Sequence, residues 1–153
     1  MGVVRLLESG CAAIVGTVDR SGAPEATRAW GIDVAPGGAR VRLLLAAAAT
    51  VTLENVEATR VIAVTATDVE TLRSVQMKGS TLTCEPATAR DDARAQRFVD
   101  EFAAAIAARD GTPTTLVRRL VPARFVVVDM AVAEMFDQTP GPSAGTSLVR
   151  PGA

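Results

Sequence analysis

Histidine and tyrosine are absent from this chain of 153 residues, and each absence removes a class of chemistry. Without histidine there is no Ser-His-Asp or Cys-His nucleophile, no histidine-ligated haem and none of the common zinc sites. Without tyrosine there is no phenolic acid or base. Lysine occurs once, as Lys78, and tryptophan once, as Trp30, while aromatic residues make up only 3% of the chain. Two cysteines, Cys11 and Cys84, are too few for a disulfide framework, so a reducing cytoplasmic setting is expected. No apolar run approaches the roughly 20 residues of a membrane helix. Glu8 interrupts the apolar stretch near the N-terminus, so neither a membrane span nor a secretory signal is expected. The formal net charge is −1 with no basic run, which leaves no footprint for nucleic acid. An enzyme with so few catalytic side chains would leave the hard chemistry to a cofactor.

What is present is an ordinary globular composition, 48% hydrophobic and 22% charged, in a chain long enough for one domain with its own core. Cys11–Asp19 reads as a strand rich in small and β-branched residues, and the turn Asp19-Arg20-Ser21-Gly22-Ala23-Pro24 follows. Glu25–Val34 is a second strand, with Ala26, Arg28, Trp30 and Ile32 expected on one face. After Ala35-Pro36-Gly37-Gly38-Ala39, Val41–Ala47 is apolar on both faces, as a central strand is. Thr50–Thr59 is a short helix, Val61–Thr67 a fourth strand and Arg73–Glu85 a fifth.

Thr88 with Asp91 has the spacing of a capping box ahead of an amphipathic helix that reaches about Arg109. Ala95, Phe98, Val99, Phe102 and Ile106 form its apolar stripe, and Gly111 ends it. A helical turn after Pro113 and a last strand over Ala123–Ala133 complete the order. Short strands joined by tight turns, with one helix inserted late, indicate a small antiparallel barrel. The domain is expected to span 1–137, with an irregular Pro/Gly-rich tail over 138–153.

Within the fifth strand, alternation puts Ser74, Gln76 and Lys78 on one face and Val75 and Met77 on the other. The polar face is either plain solvent exposure or the wall of a polar site. Asp91 and Asp92 lie in the first turn of the long helix, where carboxylates favour the positive dipole end, a structural role. Arg118 with Arg119 reads as surface charge, and Cys84 as a small core residue.

Gly22-Ala23-Pro24, a strand, a hairpin, a strand, a short helix, Arg60-Val61, then Arg73-Ser74-Val75 with Gly79 follow one another in an order that resembles the pyridoxamine 5′-phosphate oxidase-like family of FMN-binding split barrels. The resemblance covers roughly residues 10 to 134, and Gln138-Thr139-Pro140-Gly141-Pro142 is similar to one uncharacterised branch. It implies a mainly β fold: a six-stranded antiparallel split barrel with one amphipathic helix and short flanking helices, as a homodimer. It also implies FMN in the dimer clefts, held by both subunits, and an oxidoreductase on a small molecule.

The resemblance places the flavin contacts at Thr27, Arg28, Ala29 and Trp30, at Thr50, Val51 and Thr52, and at Ser74, Gln76 and Lys78. The family's basic phosphate-binding pair falls on Thr50 and Val51, neither of which is basic. Arg28 is the substitute cation, or else an exposed strand arginine stacked on a ring. Trp30 is a core residue or a flavin neighbour. Serine stands at position 74, where the oxidases carry glutamine, and Gln76 two residues on can supply the amide. Lys78 either brings positive charge to the ring or is a solvated strand lysine. Oxidation of pyridoxamine phosphate itself is not expected, because the histidine and arginine of the oxidase substrate site have no counterparts. Two further readings are a barrel that has lost its flavin and serves as a binding or structural protein, and a user of the deazaflavin F420.

Overall fold

The computed structural model describes residues 2–148 and shows a closed barrel of six antiparallel strands with four helices. Helix α1 (Val3–Glu8) precedes β1 (Ala12–Val18), β2 (Pro24–Val34) and β3 (Arg40–Ala46). Helix α2 (Thr50–Thr59) leads into β4 (Val61–Thr67) and β5 (Ser74–Pro86). Helices α3 (Ala89–Asp110) and α4 (Thr114–Arg119) come next, then β6 (Phe125–Asp137) and a two-residue β7 (Ser147–Leu148). The strands run β3-β2-β1-β4-β5-β6, and β6 returns to β3 to close the cylinder, so no long edge stays open.

Inward side chains alternate as the pleat requires. Ala13, Val15, Ile62, Val64, Ala66, Val75, Met77, Val41, Leu43, Leu45, Val128 and Met130 fill the interior, all at 2% exposure or less. Leu44 is buried too, but outside the barrel, against Ala95 of α3 and Val127. Strand β3 is therefore apolar on both faces, as its leucine run indicates. Helix α2 packs against β1 and β2, where Asn55 donates a buried hydrogen bond of 3.1 Å to the Thr17 hydroxyl.

Helix α3 begins at the expected residue because its backbone donors are met there. Thr88 and Asp91 form a complete capping box, and Gly111 closes the far end at φ 77°. Phe98 joins the barrel core, whereas Phe102 belongs to a separate cluster with Ala103 and Val117. The helix lies close to the N-terminal turn at Gly10, whose φ is 58°. A side chain there would strike the Phe102 amide and the Phe98 carbonyl, so glycine permits the approach.

Three expectations need correction. Ile32 does not share a face with Arg28: a register shift between Ala29 and Ile32 turns it inward, where it is fully buried. The last strand runs to Asp137 rather than Ala133. The tail is not wholly irregular, because Ser147 and Leu148 pair with Phe136 and Met135. Its final residues, 149–153, lie outside the described part.

Candidate functional site

Cross-strand register assembles the site on the outer face of the barrel. Arg28 of β2 pairs with Ile14 of β1, Ile14 with Thr65 of β4, Thr65 with Gln76 of β5, and Gln76 with Phe136 of β6. One row down run Ala26, Gly16, Ala63, Lys78 and Glu134. Three of the sequence candidates, Arg28, Gln76 and Lys78, thus share one surface although 50 positions separate the first from the last in the chain. Between them the upper row carries Ile14 and Thr65, and the lower row the small residues Gly16 and Ala63. A cavity of about 540 Å³ lies over the lower row, lined by Gly16, Ala26, Ala63, Lys78 and Gly79 among others.

Arg28 is half-buried. Its guanidinium carbon sits 4.0 Å from the centroid of the Phe102 ring and 5.2 Å from that of Trp30. Among the described residues it has neither a hydrogen bond nor an ion pair. Burial pulls its pKa down from the usual arginine value, a consequence of desolvation without a counter-ion. The adjacent Cys11 thiol is pushed up to about 12, chiefly by burial, and stays neutral. The Arg28 charge is therefore uncompensated.

Strand β3 ends at Ala46, one residue past Leu45, the partner of Ala29, so the turn into α2 leaves the sheet at the level of Arg28. Thr50 and Val51 are exposed at the helix start, and no side chain caps its first amides. Thr52 is 1% exposed and its hydroxyl oxygen has no partner. The Thr52 hydroxyl is closed off inside the fold, so the group on this face that an anion such as a flavin phosphate would satisfy is the unmatched Arg28 guanidinium. In kind, the residues fit that group.

The remaining candidates divide. The Gln76 amide nitrogen donates to the Thr65 hydroxyl at 3.0 Å, which fixes its orientation on the outer face. Lys78 is exposed, with its ammonium 4.9 Å from the centroid of Phe136. Trp30 is 8% exposed beside Arg28. Thr27 pairs with the core residue Val15 and so faces inward, and Ala29 is fully buried. Neither side chain reaches the outer surface. Ser74 is 5% exposed, its hydroxyl shared with Thr67 at 2.8 Å and donated to the Leu72 carbonyl at 3.0 Å. The Ser74 amide donates to Thr139 at 3.1 Å, so the tail straps this end of β5.

Sequence reasoning passed over Thr65, Phe136 and the ring of Phe102 as neighbours of the site. Strand alternation marks Thr65 as outward, whereas Phe136 lies past the Ala133 end expected for the last strand, and only the register brings them beside Gln76.

No family model matches the chain, and no curated protein matches it in sequence. Solved structures do, over most of its length. HupZ of Group A Streptococcus superposes with a TM-score of 0.55 at 18% identity, over 93% of this chain and 96% of its own. An F420 reductase gives 0.56 at 17%, over 88% and 96%. An FMN-binding protein from Syntrophomonas wolfei gives 0.55 at 12%, over 96% and 85%.

The fold is the pyridoxamine 5′-phosphate oxidase-like split barrel. At these identities the likeness carries the architecture, and the chemistry has to be read from the site. In this split barrel Arg118, paired with Asp100 at 2.9 Å, and Asp91, spent on the α3 cap, lie outside the row that Arg28 begins.

Proposed function

We propose that this split barrel binds a flavin-type cofactor, FMN or a deazaflavin, between two copies of the chain, with Arg28 as the cation for its phosphate. The observation that carries the reading is the half-buried Arg28 guanidinium on the outer face, which among the described residues has neither a hydrogen bond nor an ion pair. A desolvated cation without a partner is costly unless a ligand completes it. Gln76 and Lys78 face outward from β5, where an amide donor and a positive charge suit the rim of a flavin ring. Bound there, the cofactor would supply electron and hydride transfer, and the chain's part would be binding, orientation and exclusion of water. The activity proposed is accordingly that of an oxidoreductase on a small molecule. The similar F420 reductase and FMN-binding protein support the cofactor class.

Dimerisation is part of the same proposal. Ile14 is 48% exposed at the centre of the outer face, flanked by Gly16, Ala26 and Ala63. A flat apolar floor of this kind is suited to burial against a second copy. A second reading, a barrel without cofactor, is favoured by one observation: Thr50 and Val51 stand where a basic pair would grip the phosphate. No helix is long and apolar enough to cross a membrane among the described residues, and both cysteines are free thiols, consistent with the cytoplasmic placement we propose.

The visible absorption spectrum of freshly purified protein, read alongside sedimentation velocity, tests the reading. A flavin or deazaflavin band on a dimer is expected, and Ala63→Glu should release monomer. A colourless protein that ignores added FMN and F420 would favour the barrel without cofactor, and a monomer would remove the shared site.

A further inference from the structure

The end of the barrel that α1 closes contains a second cavity, and we infer that it is a binding site for a small apolar amine. The inference stands apart from the flavin reading, because the cavity lining shares no residue with the outward rows that hold Arg28, Gln76 and Lys78. The cavity holds about 560 Å³, within the roughly 300–1,000 Å³ usual for small-molecule sites. Val4 and Leu7 of α1 form one wall, and Val34 with the β2–β3 turn at 35–38 forms another.

The floor is the barrel core itself. Val41 of β3, Met77 of β5 and Met135 of β6 are buried there, and the two thioethers make a surface that adapts to the shape of an apolar guest. A concave volume walled by one helix and four strands suits a small molecule, whereas a protein partner takes a broad face. Among the lining residues only Glu8 has a hydrogen-bonding side chain. Its Oε1 accepts from the Val34 amide at 3.1 Å and pairs with Arg94 at 3.3 Å. The guest is therefore apolar over most of its surface, with a single polar group at the rim.

The charge at that rim sets the sign of the polar group. Arg94 is shared, since its guanidinium pairs with Glu8 at 3.3 Å and with Asp33, the neighbour of Val34, at 3.1 Å. Two carboxylates against one guanidinium leave a net negative charge at the mouth. The nearby cations do not cancel it. Arg40 is directed to Asp129 at 3.7 Å, and Arg97 and Arg5 lie on adjoining crevices that each shares with Glu101. An ammonium is favoured there over a carboxylate, and an uncharged head falls between the two.

The test titrates the full chain with N-phenyl-1-naphthylamine, a probe that is uncharged at neutral pH and fluoresces in apolar surroundings. Octylamine, octanol and octanoate then compete for it. They share one alkyl chain, and at neutral pH the amine is a cation and the acid an anion. The expected result is that the probe binds and that octylamine displaces it at a concentration about fivefold or more below that of octanoate, with octanol between. Glu8→Gln should bring the amine and the acid closer together. Val4→Trp, which fills the mouth from an exposed position, should abolish probe binding, and Ile14→Ser on the outer face should leave it unchanged.

A probe that ignores the protein would overturn the inference and show the cavity closed in solution. Octanoate matching octylamine would overturn it as well, as would Glu8→Gln leaving their ratio at the wild-type value. Probe binding that survives Val4→Trp, or is lost in Ile14→Ser, would move the guest to another surface and end the assignment. None of these outcomes bears on the flavin reading, which the absorption spectrum tests separately.

Discussion

The Phe102 ring of α3 lies under the Arg28 guanidinium of β2, 4.0 Å from ring centroid to guanidinium carbon, and ties the late helix to the row of outward side chains. A cation over an aromatic face is stabilised by about 0.5–2 kcal/mol, more where water is excluded. Phe102 therefore has two jobs: it closes the small cluster with Ala103 and Val117, and it supports an arginine that has no carboxylate.

Those two jobs can be separated. Phe102→Ala should lower stability by about 3–5 kcal/mol through lost burial and the cavity left behind. Phe102→Leu keeps most of the apolar area and should cost far less, while still removing the ring face beneath Arg28. Thermal melts would check the order, and equal melting temperatures for wild type and Phe102→Ala would show that the ring is not part of the core.

Gly79 should not tolerate a side chain. It sits at the register shift between β5 and β6, and a Cβ there would run into the carbonyl oxygen of Ala131. The strands would have to part, at a cost of roughly 1–3 kcal/mol or more. Because the shift falls directly after Lys78, Gly79→Ala should also disturb the outward row at Gln76 and Lys78. Chemical denaturation is the check, and an unchanged midpoint would mean the two strands separate freely there.

Much of this architecture can be read from the residues alone, and the reasons are local. The capping box at Thr88 and Asp91, the glycine at 111 and the apolar stripe at helical spacing delimit α3 within a residue or two. Strand positions follow from β-branched runs between Gly/Pro turns. What those patterns lack is register. Nothing in β4 announces that Thr65 will stand between Ile14 and Gln76, because pairing is settled by the whole barrel. The shift that turns Ile32 inward is hidden for the same reason, in a segment whose alternation looks unbroken. Ser74 seemed as open as Gln76 from spacing, but Thr67 and the Thr139 strap enclose it.

Acid should loosen α3 first. Burial pushes the Asp91 carboxyl up, but its bonds from the Thr88 hydroxyl and amide and the nearby Arg42 guanidinium outweigh that and hold it below the ordinary range. A carboxyl depressed in the folded state adds stability above its unfolded pKa of about 3.9, and that stability is lost as pH falls through the folded value. Melting temperature should therefore drop below about pH 4. Asp91→Asn should melt lower at neutral pH and show a shallower fall in acid. Parallel curves for the two proteins would remove Asp91 from the acid response.

The most direct measurement is a flavin-phosphate titration of Arg28→Ala beside wild type and the Arg118→Ala control, whose arginine is committed to Asp100. Arg28 is the one desolvated cation on the outer row, so its removal should weaken binding by the roughly 1.5–3 kcal/mol of a charge-assisted hydrogen bond, about ten- to a hundredfold. Arg118→Ala should bind as wild type does. Equal affinity in wild type and Arg28→Ala would contradict the account and take the phosphate away from this face of the barrel.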